Sequence, residues 1–443
     1  MNEIYLERMK EYLGSLYNDY LESLKKEPVR SIRLNNIDID TFLKNTNMPL
    51  EKIPYDIDGY YLNDNLKYGT TIYHHAGGFY FQEPSAMMPV NLYDFKGDEI
   101  VLDLCASPGG KSSQVLRRIP NGVLVSNEID KKRSDILFSN LERLGFKNAV
   151  ITNNSPKDLA KVFNGFFDVI VLDAPCSGEG MMRKDEDARN QWSLENNKIC
   201  HDRDIEIINE ANKMLKKGGK LIYSTCTFDK AEDEEMVEYI ISLGYHLIPA
   251  SDVIVNNSYK GFIDNTYRFY PMKRGEGQFM ALLEKDADEA FKPLKKISNV
   301  NDKDLDVVKK FIKDNLTTTF KNIIKVGNYY YLAGLDADLS KLKVRNYGVE
   351  LGEVEKGRFI PHHHMFKALG SFFKNKVVLD YNDPRILDYL HGEEIMAESS
   401  NGYGVLMVDN LVLGGFKASN GHLKNHYPKG LRNMNKEGLY GKE

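Results

Sequence analysis

A basic excess is missing from this chain. Its 443 residues hold 59 Lys and Arg against 64 Asp and Glu, a formal net charge of −5. A polyanionic partner would have to be met by local patches, since overall charge does not attract one. Cysteine is scarce as well: Cys105, Cys176, Cys200 and Cys226 form no CxxC pair. That spacing argues against a structural zinc site and against a secreted disulfide framework. No apolar run approaches the ~18 residues of a membrane-spanning helix. The opening MNEIYLERMKEYL has neither the basic start nor the apolar run of a secretory signal. The expectation is a reduced, cytoplasmic protein with no membrane partner and no metal. Tryptophan is down to Trp192 alone, which its helical setting assigns to a core. Internal repeats and low-complexity segments are absent too.

What is present is ordinary globular material, 42% hydrophobic and 28% charged, enough apolar mass for a large core. Four zones are legible. Residues 1–70 are helical and then mixed, with apolar side chains at helical spacing from Met9 to Leu24 and a strand-like VRSIRLN at 29–35. Residues 71–285 carry a regular alternation from about residue 98. Buried-strand runs EIVLDLC (99–105), GVLVSN (122–127), NAVIT (148–152), DVIVLD (168–173) and GKLIYST (219–225) are separated by helical segments such as 130–144 and 195–215. Strand–helix alternation of this kind predicts an α/β fold, a parallel sheet with helices on both faces and its ligands beyond the carboxyl ends of the strands. Residues 286–372 form a basic linker and mixed α/β segment. Within 291–330 nine Lys oppose four Asp. Residues 373–443 mix short strands, turns and glycines, and 401–443 holds six Lys and Arg against three acids.

The chemistry sits at the strand ends. After the first strand come Cys105, Ala106, Ser107, Pro108, Gly109, Gly110 and Lys111, then a helix. Small residues and two glycines allow close backbone approach to a ligand, and the helix start offers free amides. A phosphate-binding P-loop would need glycine where Cys105 stands, and GxGxxG is absent. The second strand ends in Glu128, placed to hold ribose hydroxyls. The fourth ends in Asp173-Ala174-Pro175-Cys176-Ser177-Gly178-Glu179-Gly180, and the fifth in Ser224-Thr225-Cys226-Thr227-Phe228. Two cysteines at adjacent strand ends, beside an aspartate and a glycine-rich loop, suit nucleophilic chemistry. The triplet His362-His363-His364 lacks a second ligand cluster, so polar turn residues or a minor RNA contact are expected there. Cys200 matches no motif and is assigned to packing.

The set CASPGGK, NEID, DAPCSGEG and STCTF resembles the Nol/Nop/Sun family of S-adenosylmethionine-dependent RNA cytosine-5 methyltransferases. GRFIPHHHMFKAL (357–369) and GHLKNHYPKGLR (421–432) are similar to its bacterial RsmF-type branch, which modifies small-subunit ribosomal RNA. The resemblance implies a Rossmann-like class I methyltransferase domain, an N-terminal extension and a C-terminal PUA-like RNA-binding region. It implies Cys226 as nucleophile at carbon 6 of cytosine and Cys176 as the residue that helps release RNA. It places Asp173 at the pyrimidine edge, and residues 105–111, Glu128, Arg133, Asp173 and Ser155 at the cofactor. Ser155 stands where the family often has an acid. Lys111 either supports the thiolate or grips the cofactor. The expected partner is ribosomal small-subunit RNA, free or in the assembled subunit, bound by a monomer. Alternatives are an RNA-binding assembly factor that keeps the fold without turnover, methylation of tRNA cytosine, and methylation of an exocyclic amine. Removing 373–443 is expected to weaken RNA binding and spare the cofactor site.

Overall fold

A computed structural model describes residues 2–62, 68–287, 291, 293–297 and 302–432. Parts of the basic 291–330 and 401–443 stretches therefore lie outside the described residues. At the centre is a ten-stranded sheet. Its five parallel strands are Ile100–Asp103, Val123–Asn127, Ala149–Thr152, Phe167–Asp173 and Leu215–Thr225. The first and fourth lie side by side, with the second and third beyond one and the fifth beyond the other. Strand order thus reverses between the first and fourth strands, and such a switch opens a crevice at their carboxyl ends. The antiparallel strand Gln278–Lys285 continues the sheet beside Leu215–Thr225.

The strands are Val-, Ile- and Leu-rich because both faces are covered. One face packs residues such as Leu102, Ile170 and Tyr223 against the helix Leu194–Met214. The other packs Val101, Val171 and Ile222 against Val115 and Leu137, from the helices Gly110–Arg118 and Lys131–Leu144. The second of these helices has clear stops: Asp130 accepts the Arg133 amide at its start, and Gly145 (φ 78°) ends it.

The flanking segments are built into this body. Residues 3–23 form two short helices, Glu3–Leu13 and Tyr17–Ser23, broken around Gly14. A four-stranded antiparallel sheet follows, holding Ser31–Leu34 and Phe79–Phe81. Beyond the parallel strands of the central sheet, Val344–Asn346 adds an antiparallel edge strand beside Ala149–Thr152, and Ala337, Leu339 and Leu342 enter the main core. The basic middle segment therefore also closes one sheet edge. The C-terminal five-stranded sheet, with Gly402–Val408 and Leu411–Ser419 at its heart, shares one apolar core with the N-terminal sheet. Phe42, Ile72 and Phe79 pack in the same cluster as Tyr389, Leu413 and Phe416. Removing 373–443 would therefore also uncover apolar side chains such as Phe42, Ile72 and Phe79. No helix among the described residues is long and apolar enough to cross a membrane.

The three histidines are not an exposed turn. His362 pairs with Glu350 at 2.6 Å. His363 is half-buried beside Tyr427, and His364 Nδ1 accepts the Glu350 amide while Nε2 lies 3.2 Å from the Phe146 carbonyl. Burial lowers His364 to about 4, so a neutral ring joins the C-terminal region to the catalytic domain.

Candidate active site

The first and second parallel strands deliver the 105–111 turn and Glu128 to one rim of the crevice. The turn is held from several sides. The Ala106 amide donates to the Asn127 carbonyl at 2.9 Å. Ser107 Oγ donates to the Arg133 carbonyl at 2.9 Å, and the Arg133 guanidinium donates back to the Ser107 carbonyl at 3.0 Å. Asn140 donates to the Pro108 carbonyl at 2.9 Å. Gly109 begins the helix at φ 110°, and a Cβ there would meet Leu137 at 3.1 Å. Glycine is needed both for that backbone conformation and for the close packing. From the N-terminal sheet, the buried Arg33 donates to the Gly110 carbonyl at 2.9 Å and to Ser113 Oγ at 2.6 Å.

Glu128 is 3% exposed, accepts the Asp130 amide at 3.0 Å and lies 3.5 Å from Arg133. Arg133 thus touches both the turn and Glu128. Asp103, at the end of the first strand, accepts from Ser112 Oγ at 2.6 Å, but its other oxygen is buried without a partner. Burial pushes its carboxyl up to about 7. Cys105 is pushed up by burial and by the carboxylates of Asp103 and Glu128, which leaves it an inert thiol at the mouth of the turn. Ser155 is engaged elsewhere. Its hydroxyl donates to Asp158 at 2.8 Å and accepts the Asp158 amide, capping the helix Pro156–Ala160. The end of the third strand is closed by Asn154, which exchanges two hydrogen bonds with the backbone of Lys343.

The fourth and fifth strands bring the remaining residues together. Lys111 Nζ lies 2.8 Å from Asp173 Oδ2, a pair joining the cofactor turn to the fourth strand. Asp173 Oδ1 accepts from Ser224 Oγ at 2.7 Å and from Gln278 Nε2 at 3.1 Å. Cys176 Sγ and Cys226 Sγ are 3.2 Å apart, and the Cys226 amide donates to Cys176 Sγ at 3.3 Å. Both thiols are reduced and partly exposed. The contact with Cys226, with burial next, pushes the Cys176 thiol up. Cys200 lies buried in its helix, pushed up to about 11 by burial.

Several residues that hold this arrangement escaped the sequence reading. Glu179 is buried and accepts from Arg8 of the first helix, from Trp192 Nε1 at 2.7 Å, from Asn197 at 3.0 Å and from the Phe228 amide at 3.2 Å. Arg268, Glu232, Ser224 and Gln278 were missed as well. An acid between two glycines at Gly178-Glu179-Gly180 is a signal that could have found Glu179. Ser224 and Gln278 carry none, since they sit inside strand patterns.

Comparisons with known proteins follow the same plan. The family model described as "16S rRNA methyltransferase RsmB/F" matches residues 90–284. The RsmF N-terminal, first C-terminal and PUA domain models match 1–84, 310–369 and 376–433. A protein of Shewanella woodyi named ribosomal RNA small subunit methyltransferase F is 30% identical, covering 95% of this chain and 94% of that protein. A Vibrio vulnificus protein of the same name is 29% identical over 97% of both. Among solved structures, a Pyrococcus horikoshii "Methyltransferase Homolog Protein" is 26% identical with a TM-score of 0.56, covering 64% of this chain and 95% of that one. NSun6 from Pyrococcus horikoshii, solved with SFG, shares the fold at 22% identity and a TM-score of 0.58, covering 65% and 99%. Crevice, thiol pair and full-length likeness agree, and the chain belongs to the ribosomal RNA small subunit methyltransferase F family of S-adenosylmethionine-dependent RNA methyltransferases.

Proposed function

We propose that this enzyme methylates carbon 5 of cytosine in small-subunit ribosomal RNA through a covalent adduct with Cys226. The observation that carries the reading is the pair of thiols 3.2 Å apart beside the Lys111–Asp173 ion pair. Carbon 5 of cytosine is a weak nucleophile. A Cys226 thiolate adding to carbon 6 makes carbon 5 electron-rich. S-adenosylmethionine supplies the electrophilic sulfonium methyl. For release, Cys176 as thiolate takes the carbon 5 proton; the freed electron pair re-forms the carbon 5–carbon 6 double bond as the carbon 6–sulfur bond breaks, and Cys226 departs as thiolate. Cys176 lies 3.2 Å from the attacking sulfur, close enough to reach that proton. Asp173, fixed by Lys111, Ser224 and Gln278, is set to bond the pyrimidine edge. Lys111 then serves chiefly to orient Asp173. Appearance of 5-methylcytosine in small-subunit RNA incubated with the protein and cofactor tests the reading.

The residues of the first rim fit the cofactor. An acidic acceptor at Glu128 suits ribose hydroxyls, and the unpartnered Asp103 oxygen suits an ammonium. The first-turn amides after Gly109 suit a carboxylate. Residues 105–111, Glu128 and Arg133 would hold it, with Asp173 at the border with the base. Glu128→Ala should weaken cofactor binding by about 1.5–3 kcal/mol, the range for charged hydrogen bonds. Isothermal calorimetry showing unchanged affinity would take Glu128 out of the site.

We keep the four-zone division at 70, 285 and 372, cytoplasmic location and monomeric action as parts of the same proposal. RNA is assigned to the C-terminal sheet, where exposed Lys417 and Lys424 face each other on neighbouring strands and Lys417 lies 5.2 Å from the Tyr403 ring. Changing both to Ala leaves the shared core intact, unlike truncation. RNA affinity should fall, and the log–log salt slope should flatten by roughly 0.7–0.9 per lost phosphate contact. Filter binding across a salt series checks it; an unchanged slope moves the RNA contact elsewhere.

A further inference from the structure

Each thiol is followed by a hydroxyl residue, Cys176 by Ser177 and Cys226 by Thr227. Those two hydroxyls lie 2.7 Å apart. Ser177 also donates twice to one carboxylate: its amide to Glu232 Oε2 at 2.9 Å and its hydroxyl to Glu232 Oε1 at 2.5 Å. A hydroxyl has one proton to give. With Glu232 ionised, the Ser177 proton goes to Glu232 and Thr227 donates to Ser177, so the carboxylate sets the direction of the whole chain. Glu232 lies on the turn after the fifth parallel strand, and its carbonyl accepts from Tyr223 OH at 2.6 Å. It is 0% exposed, and no basic side chain pairs with it among the described residues. Its charged neighbours include the acids Asp229 and Glu179. A buried carboxylate in that company is costly to keep. Its two bonds to Ser177 place it directly behind the two-thiol pair.

We propose that Glu232 is a positioning residue for the release step, holding Cys176 against Cys226 through Ser177 and Thr227. The proposal rests on the two-thiol reading above and names what holds the two thiols in register. Glu232→Gln keeps the shape but removes the charge: its oxygen still accepts the Ser177 amide, while its amide donates to Ser177 Oγ and reverses the hydroxyl chain. The expected result is a kcat lower by roughly 10- to 100-fold, the loss of one charged hydrogen bond. KM for cofactor and RNA should stay within about twofold, because neither ligand contacts Glu232 in this reading. A protein–RNA adduct should accumulate on denaturing gels, as for Cys176→Ala, while the thermal midpoint holds or rises. Ser177→Ala, which leaves the backbone bond to Glu232, should show a weaker form of the same defect. The double variant should match Glu232→Gln, since one chain cannot be broken twice.

The wild type, Cys176→Ala, Glu232→Gln, Ser177→Ala and the double variant are compared in the full chain with labelled RNA. If Cys176→Ala traps an adduct and Glu232→Gln neither traps one nor slows turnover, the proposal is overturned. Loss of activity in step with loss of folded protein, and no adduct, overturns it equally, since that is a purely structural role. If Cys176→Ala itself traps nothing, the two-thiol reading falls and takes this proposal with it.

Discussion

Cys226→Ala is expected to abolish both methyl transfer and covalent capture of RNA, whereas Cys176→Ala captures RNA and fails to let it go. The sulfurs touch at 3.2 Å, so both reach the same base. They differ in their settings. Cys226 follows Thr225 and Cys176 follows Pro175, and the family resemblance gives attack to the first and release to the second. Removing Cys176 leaves the attack intact and slows elimination. Positioned proton transfer is worth roughly 10²–10⁴-fold, so turnover should fall by that factor. An adduct that survives denaturing electrophoresis should appear when S-adenosylmethionine is present. The double variant should behave as Cys226→Ala, because no adduct persists that never formed. Both single variants should stay folded, since Cys→Ala deletes far less than the Leu→Ala changes that cost roughly 3–5 kcal/mol. An adduct from Cys226→Ala with none from Cys176→Ala would reverse the assignment.

The second large effect belongs to Arg268. It is 1% exposed, donates to Glu234 Oε1 at 2.8 Å and to the Phe228 carbonyl at 3.0 Å, and lies 3.0 Å from Asp233 Oδ2 without hydrogen-bond alignment. Asp233 in turn accepts from Thr225 Oγ1 at 2.6 Å. Arg268 thus pairs with Glu234, lies against Asp233, whose carboxyl burial pushes well up, and ties both sides of Cys226. Arg268→Met leaves those acids uncompensated, which costs about 3–5 kcal/mol when a buried pair is broken from one side. Denaturant unfolding followed by fluorescence should show that loss. Adding Asp233→Asn and Glu234→Gln should return part of it, since removing a whole buried ionic cluster costs less than removing half. A stable single variant with full activity would mean that water replaces Arg268.

The parallel sheet and its ligand end were legible in the chain because they depend on local order. Apolar runs at 99–105, 122–127, 148–152, 168–173 and 219–225 each fall on a strand. A strand buried on both faces has to be apolar along its length, and the helix stops at Asp130 and Gly145 are equally local. The motif residues are legible for the same reason: each follows its strand end directly, so placing the strand places the residue. Ser155 shows the limit, because the position was right for a strand end but the hydroxyl was taken by its own helix start.

Tertiary structure alone decided what faces what. Cys176 and Cys226 are 50 positions apart and touch only because the fourth and fifth strands are neighbours in the sheet. Lys111 finds Asp173, Arg8 finds Glu179, and Thr227 finds Ser177, which finds Glu232, in the same manner. The N-terminal and C-terminal sheets share a core that no window of sequence contains. Apolar periodicity is imposed residue by residue through burial, so a sequence carries it openly. Partnership between distant polar groups is imposed only when the strands pair, because the low-dielectric interior makes a group left alone expensive without saying beforehand which partner will answer it.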